Sequence, residues 1–185
     1  MQILFLRNTV GVSVMSLSLS SFNDDDNCEI SGIAEKNKIC IEEVCKIAKD
    51  YDFTLRLSLN MNRAMLQSVG GTVEGLFKKA KKLGADQITF RKLYVEGDNQ
   101  QSKWIEKNAV APEVFEKIDA YIKKNGHLID ILPYGYEQYS VDGMSAVVDK
   151  DCMNEERTQK QVSKYFVLRP DCKLYNGWQK EDLIF

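Results

Sequence analysis

The sequence predicts an α/β fold: a parallel half-barrel of repeated βα units with helices on the outer face, followed by a C-terminal antiparallel hairpin region. Three stretches carry the same polar stripe, namely Ser16, Ser18 and Ser20, then Thr54, Arg56, Ser58 and Asn60, then Gln87, Thr89 and Arg91, each interleaved with apolar residues. Helix-periodic segments separate them, which is the order of a parallel sheet joined by right-handed crossovers. Parallel strands buried on both faces read as nearly continuous apolar runs. A polar stripe therefore implies helices on one side only and a concave, barrel-like inner face able to hold a polar ligand.

The first strand falls in Val12 to Leu19, where Val14, Leu17 and Leu19 sit among serines. Ser21 to Lys38, rich in Asn, Asp, Ser and Gly and including Asp24, Asp25 and Asp26, reads as a long loop that could close over a ligand. Ile41 to Tyr51 places Ile41, Val44, Cys45 and Ala48 at helical spacing and is the first crossover helix. Phe53 to Met61 alternates almost perfectly and is the clearest strand. After Gly70-Gly71, Thr72 caps a helix with the stripe Val73, Leu76, Phe77, Ala80 and Leu83, and Gly84 stops it. Lys78, Lys79, Lys81 and Lys82 near its end form a solvated face that suits the helix dipole.

Gln87 to Val95 is the third strand, followed by a polar loop through Asn108. Pro112 opens a third helix that buries Phe115, Ile118, Tyr121 and Ile122 and ends near Asn125-Gly126. Beyond it, Leu128 to Leu132 can add a strand, and Tyr139 to Val148 reads as a hairpin around Asp142-Gly143. Lys164 to Leu168 and Lys173 to Tyr175 flank a second turn, Arg169-Pro170-Asp171-Cys172. At 185 residues the chain fits a single domain, 1–185, with a βα core over 12–126 and a β-rich appendage over 127–185.

Lys plus Arg total 25 against 27 Asp plus Glu, so net charge indicates neither direct nucleic-acid binding nor attraction to a membrane surface. Arg7 and Asn8 interrupt the apolar Ile3–Leu6 run before it reaches signal-peptide length, and no segment approaches the ~20 apolar residues of a membrane span. Five irregularly spaced cysteines argue against a secreted disulfide framework, and a cytoplasmic location is expected.

The sole histidine, His127, follows a helix C-terminus, where contact with the dipole accounts for it, and no second histidine is present to complete most catalytic or metal arrangements. No Walker-type loop or GxGxxG motif occurs. Cys28, Cys40 and Cys45 lack a metal-ligand spacing, and Asp24 to Asp26 lack the alternate spacing of a calcium loop. No catalytic residue and no metal site is assigned. The polar stripe is the candidate site: Arg56 can hold a carboxylate, Ser58 and Asn60 offer orientable hydrogen-bonding groups, and Arg91 on the next strand can join them. A solvent-facing sheet, or a hydrogen-bond network filling a small barrel, would read the same way.

The segments LRLSLNMNR (Leu55–Arg63), GTVEGLFKKAKKLGADQITFRKLY (Gly71–Tyr94) and KYFVLRPDCKLYNGW (Lys164–Trp178), in this order, resemble the C-terminal half of radical S-adenosylmethionine enzymes. The resemblance runs from about Val12 onward and implies a partial (β/α) barrel with the cofactor on its inner face. Carried over by position, Ser18 and Ser20 would approach the cofactor ribose, and Arg56, Ser58 and Asn60 would present polar groups from the next strand. The family's CxxxCxxC cluster motif is absent and the first barrel strands are not evident. Radical chemistry needs that iron-sulfur cluster. The resemblance thus implies a cluster-less, non-catalytic binding protein, such as a phage or mobile-element inhibitor of a host defence system like CRISPR, with S-adenosylmethionine bound, if at all, without a cluster. The alternative is one subunit of a split enzyme whose partner supplies the cluster. A protein or ribonucleoprotein partner is expected, or a homodimer through an exposed sheet edge.

Overall fold

The computed structural model describes residues 2–95, 97–132, 135–150, 167–175 and 183–184. The chain divides into two compact units, Met1–Lys150 and Asp151–Phe185. The first is an α/β unit built on one six-stranded mixed sheet, mostly parallel, with antiparallel strands at one end.

Its elements run α1 (Gln2–Asn8), β1 (Val14–Leu19), α2 (Asp24–Ile30), a 3-10 turn (Glu35–Asn37), α3 (Ile41–Asp50), β2 (Thr54–Asn60), α4 (Arg63–Gln67), α5 (Val73–Lys82) and β3 (Gln87–Arg91). Then follow α6 (Gln100–Asn108), α7 (Pro112–Asn125), β4 (Gly126–Ile131), β5 (Glu137–Val141) and β6 (Met144–Asp149). The strand order is β1-β2-β3-β6-β5-β4. The chain leaves β3, passes through α7 to the far edge as β4, and folds back by two antiparallel pairings, so that β6 lies parallel beside β3.

Period-two alternation decides which face is buried. Leu55, Leu57 and Leu59 of β2, Ile88 and Phe90 of β3, and Ala146 of β6 turn to one side. There they meet Ile41, Cys45 and Ala48 of α3, Leu76, Phe77 and Ala80 of α5, and Phe115, Ile118 and Ile122 of α7. Each fully buried Leu or Phe contributes roughly 1.5–3 kcal/mol of transfer free energy. Phe77 bridges the layers, 5.3 Å from the Phe90 ring and 4.9 Å from that of Tyr121.

Several local expectations hold at the atomic level. Thr72 accepts from the Gly75 amide as N-cap of α5, and Asp142 and Gly143 both adopt positive φ (52° and 83°), as a type I′ hairpin turn requires. Two segments read as loops contain helices. Asn23 accepts from the Asp25 and Asp26 amides, so the acidic run forms the first turn of α2, where carboxylates favour the positive end of the dipole. Asn99 likewise caps α6 by accepting from Ser102. The strands over 126–149 are integral to the main sheet.

In the second unit, β7 (Val167–Leu168) and β8 (Leu174–Tyr175) form a two-stranded hairpin. The Cys172 amide donates to Arg169 O at 2.9 Å, and the Arg169 guanidinium lies 4.1 Å from the Tyr175 ring centroid. Residues 164–166 of the expected strand, and 176–178 of the third segment of the family resemblance, lie outside the described residues.

Candidate functional site

The second face of the sheet carries the polar stripe, and strand register arranges it in rows. One row crosses all six strands as Ser16, Arg56, Gln87, Ser145, Ser140 and His127. The next runs Ser18, Ser58, Thr89, Val147, Gln138 and Asp130, and a third sets Asn60, Arg91 and Asp149 side by side. The stripe is thus twice as wide as its three most legible strands. Ser140 and Gln138 of β5 and Ser145 and Asp149 of β6 extend it, and the alternation Gln138-Tyr139-Ser140-Val141 was the signal available for the two in β5.

Arg56 lies in the row before the hydroxyl row and Arg91 in the row after it, one strand over. They flank Ser18, Ser58 and Thr89 and do not meet at one point. Arg56 donates through Nε to Gln87 Oε1 at 2.7 Å, and Arg91 Nε stands 3.9 Å from Asp149 Oδ2. Ser16, Ser18, Arg56 and Arg91 remain exposed. Ser58, at the centre, is 2% exposed and its Oγ has no hydrogen-bond partner.

Ser20 and Asn60 serve a different end of the strands. Asn60 Nδ2 donates to Ser20 Oγ at 3.3 Å, the Ser20 amide donates to Asn27 Oδ1 at 2.8 Å, and Asn62 Nδ2 donates to Ser20 O at 2.7 Å. Asn62 Oδ1 in turn caps α4 by accepting from Met65 N. Ser21 Oγ accepts from Asn23 N, and Ser68 Oγ from Phe22 N. This buried network fixes the chain where it leaves β1 and β2. Asn27 escaped sequence reasoning because it stands in the polar run Ser21 to Lys38 that reads as loop, and Asn62 because it follows the clear strand in a stretch to which periodicity assigns no element.

The described cysteines do not fit a cluster. Cys28 donates to Ile33 O at 3.2 Å, Cys40 is the exposed N-cap residue of α3, and burial, aided by the Glu42 carboxylate, pushes the Cys45 thiol up to about 11. A ligand thiol must ionise, and the Cys45 site opposes that. Among the described residues no group of three or more His, Cys, Asp or Glu is placed to hold a metal ion. His127 lies in β4 opposite Ser140, two residues beyond the end of α7. A cavity of about 310 Å³ lies between α4 and the α6–α7 connection, lined by Leu66, Val110 and Val114 with Arg63 and Gln67, and none of the stripe residues borders it. No described helix is long and apolar enough to cross a membrane.

The fold and stripe define a class no finer than an α/β unit with one apolar, helix-covered sheet face and one polar face. No family model matches the chain, and no curated protein is significantly similar to it.

Proposed function

We propose that the chain is a cluster-less half-barrel of radical S-adenosylmethionine type that works as a non-catalytic binding protein, with the row Ser18, Ser58 and Thr89 at the centre of its binding face. The observation that carries this reading is the Ser58 hydroxyl, buried without a partner between two further hydroxyls and flanked along the strands by Arg56 and Arg91. A buried, unpaired hydroxyl costs about 1–3 kcal/mol, a cost that a polar ligand would offset by displacing the side chains that shield Ser58. S-adenosylmethionine, with hydroxyls, an amine and a carboxylate, suits these groups; Ser18, Ser58, Arg56 and Arg91 would contact it, while Ser20 and Asn60 shape the strand ends. Calorimetry with S-adenosylmethionine, 5′-deoxyadenosine and methionine tests the reading. Binding that weakens tenfold or more in Ser58→Ala and Arg56→Ala supports it, and heats indistinguishable from dilution remove it.

The edge of β1 favours a second reading. Ser13 O accepts from Thr54 N, so alternation turns the backbone groups of Val14, Ser16 and Ser18 toward the free edge. A partner chain bearing the cluster loop could continue the sheet there, making this chain half of a split enzyme. Iron uptake and S-adenosylmethionine cleavage on mixing with a neighbouring-gene product would establish that arrangement. Stable capture of a host protein or ribonucleoprotein without iron favours instead an inhibitor of host defence, carried by a phage or other mobile element.

A further inference from the structure

The two edges of the sheet differ. At β1 the exposed positions are Ser16, Ser18 and the strand's first residue, Val14 (38%), and the amide at the strand's exit is taken by Asn27. At β4 three large apolar residues are exposed, Leu128 (48%), Ile129 (49%) and Ile131 (62%), together with the polar His127 and Asp130. An apolar edge strand is a template for pairing with another chain.

We propose that β4 is a dimerisation edge, at which two copies of this chain pair antiparallel about a two-fold axis with His127 of each opposite Asp130 of the other. The local pairing from β6 through β5 to β4 is already antiparallel, so a two-fold copy continues the sheet without changing its hydrogen-bond pattern. The register follows from the bulge between Leu128 and Asp130. His127 pairs with Ser140 and Asp130 with Gln138, two residues apart on β5, so the bulge brings His127 and Asp130 onto the same polar face although they are three apart in sequence.

Setting His127 against the partner's Asp130 then forms two equivalent imidazole–carboxylate pairs. It also sets Leu128 against the partner's Ile129 in both directions. One carboxylate oxygen of Asp130 accepts from Ile131 N at 2.8 Å, and in the proposed register the second accepts from the partner imidazole. The strand is self-complementary in charge and in apolar surface, which selects a second copy as its occupant. The proposal is independent of the ligand reading, since monomeric protein can still bind S-adenosylmethionine and a dimer can form without it.

Sedimentation equilibrium of the full chain tests it. A mass of twice 21.2 kDa is expected for the native sequence, falling to one chain in Ile129→Lys and in His127→Glu, with the dimer restored in the double variant H127E/D130K. A native chain that stays monomeric up to about 100 μM overturns the proposal. So does a dimer unmoved by Ile129→Lys and His127→Glu. A double variant that keeps native circular dichroism yet stays monomeric overturns the register and, with it, the charge argument.

Discussion

The Asn62 side-chain amide donates across 2.7 Å to the main-chain carbonyl of Ser20, tying the exit of β2 to the exit of β1 inside the protein. Asn62 is 1% exposed, and its oxygen also caps α4 through the Met65 amide. Asn62→Ala leaves the Ser20 carbonyl and the Met65 amide without these partners, and is expected to destabilise by about 2–3 kcal/mol in urea unfolding. Asn62→Ser keeps a cap acceptor and should lose less. Equal losses in the two variants would mean that the cap contributes nothing measurable.

Ser58→Ala should behave in the opposite way. Its hydroxyl has no protein partner, so removing it relieves a desolvation penalty of about 1–3 kcal/mol while opening only a small void. The expected result is an unchanged or raised urea midpoint together with weaker ligand binding. A loss of stability comparable to that of Asn62→Ala would mean that the hydroxyl is engaged in the unliganded protein.

Cys45 carries an alkaline liability. Burial raises its thiol from 9.0 to about 11, the Glu42 carboxylate adds to the effect, and Lys79 opposes it. A raised pKa in the folded state means that the native chain holds this proton more tightly than the unfolded one. The stabilisation is therefore complete below pH 9.0 and is lost as pH rises through about 11. Urea midpoints across that window should fall less in Cys45→Ala than in the native sequence, and parallel declines would assign the effect to other groups. Accessibility alone predicts that a thiol reagent at neutral pH modifies exposed Cys40 and Cys172 well before buried Cys28 and Cys45.

Gly126 joins α7 to β4 where no side chain fits. A Cβ there would stand 2.6 Å from Ser140 O and 2.7 Å from Val141 Cγ2, so Gly126→Ala must push β4 away from β5. A cost of roughly 1–3 kcal/mol is expected, with faster amide exchange confined to β4 and β5. Gly143→Ala meets no atom within 4 Å and is strained only by its φ of 83°, so it should cost less and leave that exchange intact.

The legible parts of the fold were those where one physical signal dominated. β2 alternates so cleanly that its buried leucines and its polar row follow from periodicity alone, and α3, α5 and α7 each carry an apolar stripe. The helices α2 and α6 were not legible. Each begins at an asparagine cap inside a polar run and buries only two residues, Asn27 and Cys28 or Ser102 and Ile105, too few to raise a periodic signal. The polar face could be read, but its surroundings could not. Whether a hydroxyl such as Ser58 is solvated or orphaned depends on neighbours contributed by strands distant in sequence. The strand order was hidden for the same reason, since nothing local tells β4 to bypass β3.

That bypass has a consequence for how the molecule assembles. β6, the last strand of the large sheet to leave the ribosome, belongs between β3 and β5, inside the sheet. Until Met144–Asp149 emerge, β3 keeps an unpaired edge, and β4 with its neighbour β5 has nothing to join it to the three parallel strands. Non-local pairing of this kind is slow because chain closure precedes any gain from contact, and open strands invite association meanwhile. The β5–β6 hairpin, closed by Asp142-Gly143, therefore acts as the keystone: β6 is the strand through which β4 and β5 are joined to β1, β2 and β3.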